Sequence, residues 1–158
     1  MANTQSMCTS FMGEVLTATH NFGTAPTRAS SAADTFKAAL YLASATVNAS
    51  TTAYSATGEV SGTGYTAGGV TVTNATPPAS TNTSATAGTA YWTPSASIVY
   101  TSVTLTTAFD AVLIYNSTQS DKAVSVHTFG SQTITAGTFT LTMPSNTTST
   151  ALLRLATT

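Results

Sequence analysis

An all-β fold, a β-sandwich of which the jelly roll is one form, with a short N-terminal helix or arm, is what three features of this 158-residue sequence predict. Apolar and polar residues alternate in several short runs, the period of a pleated strand. Clusters of turn-forming residues separate those runs. Threonine is the third feature: the chain holds 37 Thr, with 19 Ser and 26 Ala. A β-branched hydroxyl suits the solvated side of a strand, where it stays hydrated while its methyl packs on cross-strand neighbours.

The first element departs from this pattern. Met7, Phe11, Val15 and Ala18 recur at helical spacing, which predicts one amphipathic helix between Gln5 and Thr19. Gly23 to Ser31 then reads as a loop or extended arm, so residues 1–33 are taken as helix and arm and 34–158 as the sandwich domain. From Asp34 the period becomes two. Phe36, Ala38, Leu40 and Leu42 point one way, and Thr35, Lys37, Ala39 and Tyr41 the other. Val70 and Val72 mark a second strand and Tyr91-Trp92 another. In the run Ile98 to Leu105, Val99, Val103 and Leu105 share a face. Phe109 to Tyr115 is apolar on both faces, the mark of a central strand, with Asp110 near its exposed end. Asn116 to Asp121 has turn chemistry, which predicts a hairpin into Ala123 to Phe129. Phe139, Leu141 and Met143 alternate with threonines, Pro144-Ser145-Asn146 ends that strand, and Ala151 to Leu155 is the last, with Arg154 facing away from Leu153 and Leu155. The count is about eight strands.

Only 6% of the residues are charged, against about 25% in an ordinary soluble domain. Four cations, Arg28, Lys37, Lys122 and Arg154, balance five acids for a net charge of -1. Scattered cations exclude a phosphate-binding surface, so no nucleic-acid partner is expected. Low charge also removes the repulsion that keeps copies apart and leaves sheet edges without their usual lysine protection, so a homo-oligomer, or loops over the edges, is expected. No stretch is long and apolar enough for a transmembrane helix, and Met1 to Ser6 lacks the features of a secretory signal. A chain without membrane contact, made inside a cell, is the expectation. Segment Asn74 to Gly88 is low-complexity and longer than most internal connections, a candidate excursion toward a neighbour.

No catalytic signature emerges. Cys8 is alone, which fits a small buried hydrophobe rather than a redox pair or zinc site. Gly58 to Gly69 is glycine-rich but lacks the Lys-Ser/Thr ending and the following helix of a phosphate loop; it reads as a turn-rich connection in which Glu59 accepts hydrogen bonds from loop amides. His20 and His127 have no nucleophile-elbow motif to serve, and His127 is read as a sheet-surface or subunit-contact side chain. The acids are too dispersed for a glycosidase pair, and no metal or cofactor is expected. Five Asn-x-Ser/Thr triplets follow from composition. Phe11, Tyr65, Tyr91, Trp92 and Tyr100 are the candidate interface residues, the last four also a candidate carbohydrate-stacking platform, since aromatic rings supply contact area at low entropy cost.

The run Asp34-Thr35-Phe36-Lys37-Ala38-Ala39-Leu40-Tyr41, the stretch Gly58 to Gly69, Ala111-Val112-Leu113-Ile114-Tyr115-Asn116 and Lys122-Ala123-Val124 resemble small virion proteins of tailed bacteriophages, over roughly Asp34 to Leu155. That resemblance implies a virion location and a structural, non-enzymatic role. The favoured form is a head decoration or cement protein bridging major capsid subunits, with Gln5 to Ser31 and Asn74 to Gly88 as bridging elements. A tail or fibre component, or a carbohydrate-binding module outside any virus, is the alternative.

Overall fold

The computed structural model describes residues 3–16, 19–22, 33–81 and 88–156. Among them one helix, α1 (Thr9–Leu16), accompanies eight strands: β1 (Ser6–Met7), β2 (Phe36–Leu42), β3 (Val70–Thr71), β4 (Ala79–Ser80), β5 (Thr89–Trp92), β6 (Ile98–Asn116), β7 (Lys122–Leu141) and β8 (Leu153–Ala156). They form two antiparallel sheets, a sandwich-like all-β fold. The larger has the order β1-β7-β6-β2-β3 and the smaller β4-β5-β8.

The β6–β7 hairpin is the spine. Its turn falls where the Asn116 to Asp121 chemistry predicts: Asn116 Oδ1 accepts from the amides of Thr118 and Gln119, and Ser120 and Asp121 adopt left-handed φ of 54° and 57°. Runs that read as separate strands in the sequence are single strands of 19 and 20 residues interrupted by bulges. One bulge corrects a face assignment. Ser102 takes φ 54° and shifts the parity, so Ile98, Tyr100, Val103 and Leu105 are buried while Val99 is 39% exposed. Asp110 lies inside β6, not at its exposed end, and accepts from Asn3 Nδ2 at 2.6 Å.

β2 is covered on both faces: Phe36, Ala38, Ala39, Leu40 and Tyr41 are all buried, because a strap of residues from 53 to 69 crosses its second face. Gly69 amide donates to Thr66 O and Val60 amide to Leu40 O, which draws the strap tight. The glycines of this stretch serve close approach; a Cβ on Gly62 would stand 2.1 Å from the Thr104 carbonyl oxygen.

The helix is shorter than its spacing predicts. Ser6 and Met7 pair with Val126 and Ser125, so sheet hydrogen bonding claims the first apolar position of the helical stripe; Ala18 lies outside the described residues. Cys8 and Phe11 are buried in the common core, and burial pushes the Cys8 thiol up to about 11, with Glu14 nearby adding to the effect. Asn21 amide donates to Asp34 Oδ2 and Asp34 amide to Asn21 O. The N-terminal segment, as far as it is described, is therefore packed into the β-domain rather than extended from it. The arm expected at Gly23 to Ser31 lies outside the described residues, as do 82–87 of the low-complexity segment, whose beginning supplies β4.

Candidate interaction site

Phe11 of α1, Phe22, Phe36 of β2 and Trp92 of β5 form the aromatic joint between the two sheets. Phe22 stacks on Phe36 with centroids 4.3 Å apart and meets Trp92 edge-on at 4.6 Å. Such geometry contributes beyond the area it removes from water. Over this joint opens a cavity of about 190 Å³ walled by Phe11, Val15, Phe22, Tyr91, Trp92, Leu155 and three further side chains, none of them charged. Its rim is apolar and accessible: Val15 is 37% and Leu155 39% exposed, and Met12 on the same helix as Val15 is 48% exposed. Exposed large apolar side chains grouped around a groove are a mark of a contact surface.

Of the five aromatic candidates, the fold brings Phe11, Tyr91 and Trp92 together at this groove and sends two elsewhere. Tyr65 of the glycine-rich strap and Tyr100 of β6 stack on each other at 5.9 Å, and Tyr100 is 2% exposed with its hydroxyl donating to Ala38 O. Tyr100 is thus a core residue, and Tyr65 is part-buried against that core, away from the groove. The four-residue carbohydrate platform is therefore not assembled. Trp92 is itself 3% exposed and its indole N–H donates to Thr76 O, so it offers a groove wall rather than a free ring face. Val15 and Leu155, the most accessible groove residues, were legible only as members of a helical stripe and a strand; their meeting depends on the sheet-to-sheet packing.

Two polar clusters lie outside the groove. In the first, Glu14 accepts from Lys122 Nζ at 2.7 Å and is 2.7 Å from His20 Nε2; Asn116 Nδ2 lies 3.0 Å from His20 Nδ1 and donates to Asp34 Oδ2 at 2.8 Å. This network ties α1, the 19–22 segment and the β6–β7 turn together. Burial favours the neutral imidazole and lowers the His20 pKa against the pull of Glu14. Burial also acts to raise Glu14, but hydrogen bonds from Lys122 and His20 outweigh it and hold the carboxyl below its ordinary value. In the second cluster, Ser125 Oγ and His127 Nε2 are 2.9 Å apart on β7. They line a cavity of about 440 Å³ that also includes Met7 of β1 and Arg154 of β8. Burial drives His127 down to about 4. No carboxylate orients this imidazole among the described residues, so the pair has no third member of a hydrolytic triad. Nor do the described residues place three or more His, Cys, Asp or Glu side chains as a metal site.

The histidines give a signed prediction. An unfolded His binds a proton near pH 6.5, so between there and pH 4 the unfolded chain holds the more protons and stability falls as the pH falls. His127 alone accounts for about 3 kcal/mol of loss once pH 4 is reached, and the lowered values of His20 and Glu14 act in the same direction. Thermal melts from pH 7.5 to 4 are expected to show a steep decline that is shallower in His127→Gln; parallel curves for the two proteins would contradict it.

Comparison of the chain with protein-family models, with curated proteins and with solved structures finds no match. Fold and site together define a charge-poor, sandwich-like all-β protein with an apolar surface groove, and no helix among its described residues is long and apolar enough to cross a membrane.

Proposed function

We propose that this chain is a structural protein of a tailed-bacteriophage virion, a head decoration or cement protein that binds neighbouring major capsid subunits and performs no reaction. The observation that carries this reading is the uncharged groove between α1 and the small sheet, rimmed by Val15 and Leu155. A groove of this kind takes an apolar side chain or loop of a protein neighbour, and its lack of charge makes burial inexpensive. The charge-poor surface, the two-sheet fold and the sequence resemblance support the same assignment. Repetition supplies the strength: many weak contacts on a lattice stabilise the assembled state because they bind it better than free subunits.

Purification of emptied heads tests it. The chain is expected to accompany the major capsid protein in a fixed ratio set by the lattice; association with detached tails alone would replace the head placement with the tail or fibre one. Leu155→Asp places a charge on the groove rim at a side chain that is already 39% exposed. It is expected to weaken head binding at least about tenfold, since a desolvated unpaired charge costs more than 1.4 kcal/mol, while the melting temperature moves by no more than a few degrees. Unchanged binding would exclude the groove as the contact.

A further inference from the structure

Among the described residues, β7 carries an edge that is unpaired beyond its first few positions. β1 covers it only at Ser125 and Val126, and no other described strand or loop makes a backbone hydrogen bond to residues 128–141 on the side away from β6. From Ala123 to Leu153 the sequence contains no Asp, Glu, Lys or Arg and its one proline is Pro144, beyond the strand. The usual devices that keep an edge from pairing are thus missing, apart from bulges. Those bulges, at Gly130 and Ala136, both with φ 47°, divide the edge and leave Gly137–Leu141 as an end segment without a bulge of its own, paired to β6 across the irregularity at Ser102. There Thr138 and Thr140 are exposed, while Phe139 packs inward on Phe109 and Phe129 with centroids 5.1 Å away. An inward phenylalanine fixes which face the threonines present.

We infer that Gly137–Leu141 pairs antiparallel with the same segment of a second copy, about a twofold axis at Phe139. Two features select a copy over a foreign strand. In a twofold contact every charge lies near its own image, so a charged edge repels itself, and this one carries no charge. The segment is also symmetric about its centre: antiparallel pairing at Phe139 sets Thr138 of each copy opposite Thr140 of the other, on the exposed face, where threonine pairs stabilise sheets. Backbone groups of the edge supply the hydrogen bonds, as in other strand additions. Self-pairing does not depend on the capsid reading, since it requires only a second copy of the chain.

A five-residue contact lies at the small, transient end of protein interfaces, so a weak dimer is expected. Sedimentation velocity of the full chain from about 1 to 200 µM is expected to show a monomer–dimer equilibrium and no larger species. Thr138→Lys with Thr140→Lys places lysines opposite lysines and should weaken the dimer about tenfold. Thr138→Lys with Thr140→Glu places opposite charges across the axis and should restore it; because both variants alter the same exposed positions, the second controls for folding. A monomer throughout the range, open-ended oligomers, or a dimer indifferent to both variants would overturn the inference.

Discussion

Glu59→Ala is expected to lower stability by about 3 kcal/mol or more, because it leaves three hydrogen-bond donors without their shared acceptor, at roughly 1–3 kcal/mol for each that stays buried. Glu59 is itself part of the strap and has both carboxylate oxygens in use. Oε1 accepts from the Tyr65 hydroxyl at 2.7 Å and the Gly68 amide at 2.8 Å, and Oε2 accepts from the Tyr54 hydroxyl at 2.6 Å. The truncation strands two phenols and an amide in a site walled by stacked tyrosines, Tyr54 on Tyr115 and Tyr65 on Tyr100. Glu59→Gln keeps an acceptor for Tyr65 and Gly68 and turns its amide toward Tyr54, so it should cost a third as much or less. Chemical denaturation of the three proteins distinguishes these cases; equal losses for Ala and Gln would mean that the charge, not the hydrogen bonds, is what the site requires. The same packing governs alkaline behaviour. Burial, reinforced by Glu59, raises the Tyr54 and Tyr65 phenols above their ordinary value, and burial above all pushes Tyr41 and Tyr115 up to about 12. Unfolded tyrosines ionise near pH 10, so stability present below that pH is lost as the pH rises beyond it.

Gly69→Ala is expected to be at least as severe, more than about 4 kcal/mol, placing it among the exceptional single substitutions. Gly69 has φ +70° and its Cβ would stand 1.7 Å from the Ala38 carbonyl oxygen and 2.5 Å from that carbonyl carbon. The obstacle is the backbone of a central strand, which no rotamer change relieves, so the strap must lift and expose Tyr65 and Tyr115. Gly130→Ala is the comparison: φ is +47° but nothing lies within 4 Å of the added atom, leaving only the dihedral cost of about 1 kcal/mol. Melting temperatures of both variants should separate widely; similar values would show that the strap is not pressed on β2 in solution.

Much of this fold is legible in residue patterns. The alternation of Phe36 to Leu42, the two-faced apolar run ending at Tyr115 and the turn at Asn116 to Asp121 place the spine hairpin and the strand beside it, because burial and turn geometry are local properties of the chain. Bulges are not legible in the same way. Ser102 and Ala136 adopt left-handed φ although neither residue favours it, and the resulting parity change exposes Val99 where alternation buries it. The helix starts later than its spacing indicates for a related reason: pairing of Ser6 and Met7 with β7 is a long-range contact that a helical spacing does not reveal. At the site, Phe11, Tyr91 and Trp92 were identifiable as aromatic, but aromatic character is shared by core and surface. Only packing separates them from Tyr65 and Tyr100, whose hydroxyls donate to Glu59 and to the Ala38 carbonyl. Glu59 was readable as an acceptor of loop amides from the glycines around it; its two tyrosine donors come from positions five and six residues away on the folded strap.

A cement protein, the role proposed for this chain, must change the energetics of what it touches. Emptied heads stripped of the chain and then saturated with it can be compared by calorimetry. A rise in the disruption temperature of the heads, saturating with bound chain and absent with Leu155→Asp, is the predicted result. Heads that come apart at the same temperature with and without bound protein would contradict a cementing role.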